Sequence, residues 1–266
     1  MRLWGRVLAI AGVDSGGGAG IAADIRASLA MGAYCSTAVT ALTAQDTRGV
    51  AAVLPVPADF LARQITMALA DPGADAVKTG MLGGAAAIEA VAGALASCRL
   101  PVVVDPVMIA KGGAALLEDG AMAALRTLLL PRATLLTPNL PEAEALTGRP
   151  VRTAADMPGA AAALRALGAE AVLVKGGHLA AGPVLDLLMT PAGVWRFEGS
   201  RLQTRHTHGT GCTLASAIAA GLAQGRPLPE AVGRAVAYVR RAIRTAPGFG
   251  AGHGPLNHAA GLARRE

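Results

Sequence analysis

VLAIAGVDSGGGAGIAADIRASLAMG, residues 7–32, decides the fold. Its opening VLAIAG is a short, continuous apolar run, the pattern of a strand covered on both faces. A glycine-rich turn follows, and then an Ala-rich helical pattern over GIAADIRASLAMG. The same unit returns along the chain. Further strands are expected at STAVTAL (from Ser36), DAVKTG (from Asp75), PVVVDP (from Pro101), TLLTPN (from Thr134) and AVLVKGG (from Ala171). Helical patterns separate them at DFLARQITMALA, AAAIEAVAGALAS and DMPGAAAALRALG. Strands alternating with helices predict an α/β fold with a mostly parallel central sheet and helices on both faces. VLDLLMTP, a turn at Ala192-Gly193 and VWRFEG predict a hairpin. Two helices, from Gly209 and from about Pro227, close the chain. No linker, repeat or low-complexity tract interrupts residues 1–266, so one domain is expected.

Composition narrows the function. Hydrophobic residues make up 53% and charged residues 16% of the 266, which excludes a disordered chain. Aromatics are only 3%, too few for a base-stacking nucleic-acid surface. The net charge of +6 is spread over scattered arginines, densest in the tail at Arg264-Arg265. It serves solubility, and a modest positive field also helps to collect phosphorylated substrates. Cys35, Cys98 and Cys212 are odd in number and lack CxxC spacing, which points to a reducing compartment and no structural zinc. With neither a signal-like start nor a stretch of about 20 apolar residues, a cytoplasmic protein without membrane or nucleic-acid partners is expected.

Ligands of such sheets bind outside the carboxyl ends of the strands. There the sequence places Asp14 to Gly18, Gln45-Asp46, Thr79-Gly80-Met81, Asp105-Pro106, Pro138-Asn139 and Lys175-Gly176-Gly177. The first glycine loop fits a loose dinucleotide fingerprint at Gly18 to Ala23, and it equally fits a structural tight turn. Asp14 and Asp24 repel phosphate and suit a neutral substrate bearing an amine or hydroxyl. Thr207-His208-Gly209-Thr210-Gly211-Cys212-Thr213 runs into an apolar helix, and its amides can hold a transferring phosphoryl group or simply make a tight turn. Cys212 lies in that helix's first turn, where the dipole favours thiolate. Lys175 is either a polyphosphate contact or a surface lysine. Asn139 and Glu142 are either a capping box or part of a hydrated magnesium site. A carboxylate at Asp105, ending an apolar strand, needs a partner. P-loop, HExxH and G-x-S-x-G motifs are absent.

In this order, IAGVDSGGGAGIAADI, TALTAQDTRGV, KTGMLG, VVVDPVM, LLTPNLPEAEALTG, VLVKGGH and THGTGCTLASAIAAGLA resemble the hydroxymethylpyrimidine/phosphomethylpyrimidine kinases of thiamin biosynthesis, over nearly the whole chain. The resemblance implies a ribokinase-like three-layer sandwich. It also implies MgATP-dependent phosphorylation of 4-amino-5-hydroxymethyl-2-methylpyrimidine and then of its monophosphate. By the same resemblance, Ala19, Asp24, Gln45, Met81 and Val107 line the pyrimidine pocket, with Gln45 bonding the aminopyrimidine. Asp105 and Glu142 organise magnesium, and Lys175, Asn139 and Thr210 contact ATP. Gly209, Gly211 and Cys212 form the catalytic anion hole, with Cys212 as the base for the substrate hydroxyl. A homodimer is expected. The chain departs from the family pattern at Val13, where a serine and a proline are lacking, and at Ala22, where glutamine is frequent.

Three rival readings have their own discriminators. A pyridoxal kinase of the same superfamily would phosphorylate once and form no diphosphate. An NAD-dependent oxidoreductase needs Asp46 to end the second strand and hold a ribose. A non-catalytic binding protein would not turn over ATP. Candidate closing segments are Lys111-Gly112-Gly113 and Gly248-Phe249-Gly250.

Overall fold

The structure, a computed structural model, describes residues 4–109, 113, 116–118, 120–179 and 182–262. The tail at Arg264-Arg265 and the pair Lys111-Gly112 lie outside the described residues.

Nine strands form one sheet: β1 (Arg6–Asp14), β2 (Tyr34–Gln45), β3 (Val50–Pro55), β4 (Ala76–Thr79), β5 (Val102–Val104), β6 (Leu135–Leu136), β7 (Val172–Lys175), β8 (Val184–Thr190) and β9 (Gly193–Gly199). Their order is β3-β2-β1-β4-β5-β6-β7-β8-β9. The six strands from β2 to β7 in that order pair in parallel. β3 is antiparallel to β2 at one edge, and the hairpin β8–β9 continues the sheet antiparallel at the other. β3 escapes sequence reading because VAAVLP is partly to fully exposed and has no apolar alternation to announce it.

The central parallel strands are mostly apolar because successive side chains serve two different cores. Leu8, Ile10, Val77, Val102, Val104, Leu136, Val172 and Val174 belong to one. That core is closed by α2 (Ala58–Ala70), α3 (Ala85–Ala94), α4 (Ala121–Ala124, widening into a π-type coil over Leu125–Leu129), α5 (Leu140–Thr147) and α6 (Met157–Ala166). Val7, Val103, Leu135 and Leu173 face the other, built with α1 (Gly20–Ala30), α7 (Thr210–Ala223) and α8 (Leu228–Arg244). Three layers result, as the resemblance implies. α7 carries nine buried residues and is apolar on almost every side, since it lies between the sheet, α1 and α8. Its first turn is thereby pinned beneath the carboxyl ends of the strands. Among the described residues no helix is long and apolar enough to cross a membrane.

Candidate active site

The first glycine loop is folded by its own acid. Asp14 ends β1, and its carboxylate accepts from the amides of Gly16 (2.8 Å), Gly18 (3.0 Å) and Ala19 (2.8 Å). His208 Nε2 lies 2.7 Å from the same carboxylate. Burial works against the charge, but His208 and the loop amides hold Asp14 below the usual carboxylate range. Asp14 therefore faces loop backbone and histidine, and the expectation that it serves an amine- or hydroxyl-bearing substrate is corrected. The reason is geometric: a carboxylate two to five residues ahead of free loop amides satisfies them locally.

Of the five residues expected at the pyrimidine, Ala19 belongs to this loop and Gln45 adjoins it, while Met81 and Val107 follow other strands. Ala19 precedes α1 in an extended conformation. Gln45 ends β2, with its backbone amide donating to Ser15 Oγ (2.8 Å) and its side chain between Thr43 (3.2 Å) and His208 (3.4 Å). Met81 is held by Thr40 Oγ1 donating to its carbonyl (2.7 Å), and its methyl packs against Gly12. Val107, half-buried, lines a cavity of about 10 Å³ with Thr79, Asp105 and Pro106.

Asp24 departs from that set. It is fully buried, and Lys78 Nζ donates to both its oxygens at 2.8 and 2.9 Å while Ser216 Oγ donates at 2.7 Å. With three hydrogen bonds donated to it from inside, Asp24 is the counter-charge of Lys78. Asp24 raises the Lys78 pKa despite burial. Sequence reading missed Lys78, although a lysine inside the buried strand AVKT demands an acidic partner, and that demand was the available signal.

A second charged cluster joins three strand tips. Lys175 Nζ, at the end of β7, donates to Asp105 Oδ1 at 2.7 Å and lies 3.9 Å from Glu142 Oε2. Thr137 Oγ1 also donates to Asp105, at 3.1 Å. Lys175 is thus no surface lysine; its side chain is 14% exposed, and Asp105 and Glu142 raise its pKa against the effect of burial. Asn139 and Glu142 make the full capping box of α5, Asn139 accepting from the Glu142 amide (2.9 Å) and Glu142 from the Asn139 amide (2.7 Å). The capping box is formed, and the Glu142 carboxylate that completes it also faces Lys175. Burial, opposed by Lys175 and reinforced by Asp105, pushes the Glu142 carboxyl up to about 7. Two carboxylates already facing one ammonium are oxygen donors of the kind a hydrated magnesium ion takes.

The third element is the loop into α7. Gly209 has φ +79°, and a Cβ there would run into the Gly18 carbonyl, so the two glycine loops are pressed together. Thr210 Oγ1 donates to the Thr207 carbonyl (2.7 Å), which engages its hydrogen within the loop. Gly211 turns toward the charged cluster: a Cβ on it would lie 3.2 Å from Lys175 Nζ and 3.5 Å from Asp105 Oδ2. First-turn amides of a helix have no partners inside it and attract anions. Burial, with Asp24 and Asp105 adding to it and Lys78 opposing, pushes the Cys212 thiol up to about 11. The expected lowering at the helix start is therefore corrected; desolvation beside two carboxylates outweighs the helix end. Asp46 is exposed and bonded to Arg48 and Gly49, a local turn and not the ribose acid an oxidoreductase would need.

These features, on this sheet, define a ribokinase-like protein. The phosphomethylpyrimidine kinase family model matches residues 14–257. The chain is 52% identical over 255 residues to the thiamine biosynthesis bifunctional protein ThiED of Geobacter sulfurreducens, covering 96% of this chain and 52% of that protein. It is 48% identical to a hydroxymethylpyrimidine/phosphomethylpyrimidine kinase of Streptomyces coelicolor, covering 95% and 93%. The chain thus spans about half of the first relative and nearly all of the second. Among solved structures, the ADP complex of Bacillus subtilis pyridoxal kinase superposes with TM-score 0.90 at 36% identity, covering 97% of this chain and 98% of that one. A phosphomethylpyrimidine kinase of Clostridium difficile gives 0.80 at 38% identity, covering 90% and 99%. The chain belongs to the phosphomethylpyrimidine kinase family.

Proposed function

We propose that the chain is a single ribokinase-like kinase domain acting in thiamin biosynthesis. It uses MgATP to phosphorylate the hydroxymethyl group of 4-amino-5-hydroxymethyl-2-methylpyrimidine, and then the resulting monophosphate to give the diphosphate. The observation that carries this is Lys175 held between Asp105 and Glu142 directly opposite Gly211. Phosphoryl transfer asks a protein mainly for positioning and charge neutralisation, and this junction supplies both signs of charge beside a helix start. Lys175 meets the ATP phosphates. Asp105 and Glu142 would hold a magnesium ion there, which would neutralise phosphate charge. Asn139 and Thr210 border the nucleotide, and the amides from Gly209 to Cys212 receive the transferring group. Cys212 accepts the hydroxyl proton, which requires its thiolate form. Ala19, Gln45, Met81 and Val107 face the pyrimidine.

ATP use draws support from the Staphylococcus aureus pyridoxal kinase solved with AMP-PCP and pyridoxal, which shares 34% identity and a TM-score of 0.88. That likeness also favours a second reading, pyridoxal phosphorylation in the same pocket. A cytoplasmic homodimer is the form we assign, with the exposed Leu42, Val53, Leu54 and Phe60 around the β2–β3 edge as available apolar surface. The deciding assay offers MgATP with the hydroxymethylpyrimidine, its monophosphate and pyridoxal separately. Conversion of the monophosphate to the diphosphate is expected; turnover of pyridoxal alone would overturn the assignment in favour of the second reading.

A further inference from the structure

The Gln45 amide lies between two groups whose own hydrogen bonds are already settled. Asp14 accepts from three backbone amides and is an ionised acceptor. His208 Nε2 is 2.7 Å from Asp14 Oδ2, so Nε2 carries a hydrogen and donates it there. One end of the Gln45 amide reaches the same Nε2 at 3.4 Å, and an NH2 group at that end would set donor against donor. The other end lies 3.2 Å from Thr43 Oγ1, whose single hydrogen has its nearer acceptor in the Val13 carbonyl at 3.0 Å. An amide oxygen at that end would meet only lone pairs. Both conflicts disappear together when Oε1 faces His208 and Nε2 faces Thr43. Amide orientation is assigned from such networks, since oxygen and nitrogen are otherwise nearly indistinguishable.

The histidine is not free to turn away. It is 8% exposed, its ring packs on Gly18, and its backbone amide donates to the Gly254 carbonyl (3.2 Å). It therefore ties the first glycine loop, the loop into α7 and the segment around Gly254 into one unit.

We propose that the Asp14–His208 pair is a positioning device for substrate specificity that locks the orientation of the Gln45 amide. Locked this way, Gln45 presents an acceptor on its His208 side and a spare N–H donor on its Thr43 side. An edge that places an amine N–H beside an unprotonated ring nitrogen matches both, as a 4-aminopyrimidine does. An edge with a carbonyl beside a ring N–H, as in the 4-oxo analogue, mismatches both. This inference rests on the pyrimidine-kinase reading for its substrate and on the protein alone for the amide orientation.

Two measurements test it. In substrate-free protein labelled with 15N, NMR should show His208 protonated at Nε2 and the Gln45 amide hydrogens close to the Thr43 methyl group. Amide hydrogens close to the His208 ring would overturn the proposal whatever the substrate proves to be. His208→Leu removes the donor, and the ratio of kcat/KM for the aminopyrimidine over its 4-oxo analogue should fall at least about tenfold, the usual weight of one mispaired hydrogen bond. A substitution that lowers both substrates in equal proportion would make His208 merely structural. If the wild-type protein turns over neither pyrimidine, the functional reading fails, and the NMR result still decides the orientation.

Discussion

Removing the ammonium beneath the site exposes how Asp24 is kept charged. Lys78→Met preserves most of the side-chain volume but leaves the Asp24 carboxyl fully buried, with only the Ser216 hydroxyl donating to it. Burial already pushes Asp24 above its ordinary range while Lys78 opposes the shift; without Lys78 it rises further. Folding the variant at neutral pH then requires taking up a proton. From an unfolded carboxyl with a pKa near 3.9, that costs about 1.4 kcal/mol per pH unit, hence about 4 kcal/mol at pH 7 and about 1.5 kcal/mol at pH 5. The value at pH 7 falls within the range of about 3–5 kcal/mol for breaking a buried pair from one side. The sign follows from the raised folded pKa: the variant is least impaired below the unfolded pKa and loses stability as pH rises. Urea unfolding at pH 5 and pH 7 measures this, and Lys78→Met/Asp24→Asn should recover most of the loss and abolish its pH dependence. A loss under about 1 kcal/mol at pH 7, or one that does not grow between pH 5 and pH 7, would refute the reasoning.

Three other expectations concern the chemistry. With Cys212 pushed up to about 11, a thiolate base makes kcat climb with pH through the neutral range. Cys212→Ala should lower kcat by about a hundredfold or more; a flat profile with near-full turnover in the variant would leave catalysis to the anion loop. Glu142, raised to about 7 from 4.5, binds a proton in competition with magnesium, so MgATP binding followed by calorimetry should strengthen up to about pH 7 and then level. In metal-free protein the same carboxyl makes stability decline as pH rises through that interval, and Glu142→Gln should flatten both dependences. Gly209→Ala should cost at least about 1 kcal/mol from the left-handed backbone alone, with weakened ATP binding from the clash with Gly18. Gly225→Ala, at φ +73° but in open space, carries the backbone cost without that loss of binding.

The parallel strands and most helices were legible because each is a local pattern. The apolar runs at Val7, Asp75, Pro101, Thr134 and Ala171 became β1, β4, β5, β6 and β7, and the turn near Ala192 joins β8 to β9. β3 was not legible, since an edge strand with no buried face leaves no periodic signal. The short α4 with its π-type continuation was missed as well, although Gly120 before its apolar stretch and Pro131 after it mark both ends.

What the sequence determined by itself was the ordered set of polar and glycine residues at strand tips, because strand direction sends every such tip to the same end of a parallel sheet. Tertiary structure alone decided what each charge does there. Asp14 and Asp24 look alike as acids near one glycine loop, yet one folds the loop and the other neutralises a lysine far along the chain. Cys212 looks activated at a helix start, yet burial beside Asp24 and Asp105 raises it. His208 and Gln45, 163 positions apart, meet only in the fold. Periodicity is a property of neighbours in sequence, whereas protonation and hydrogen-bond direction depend on burial and on partners that only the folded chain brings together.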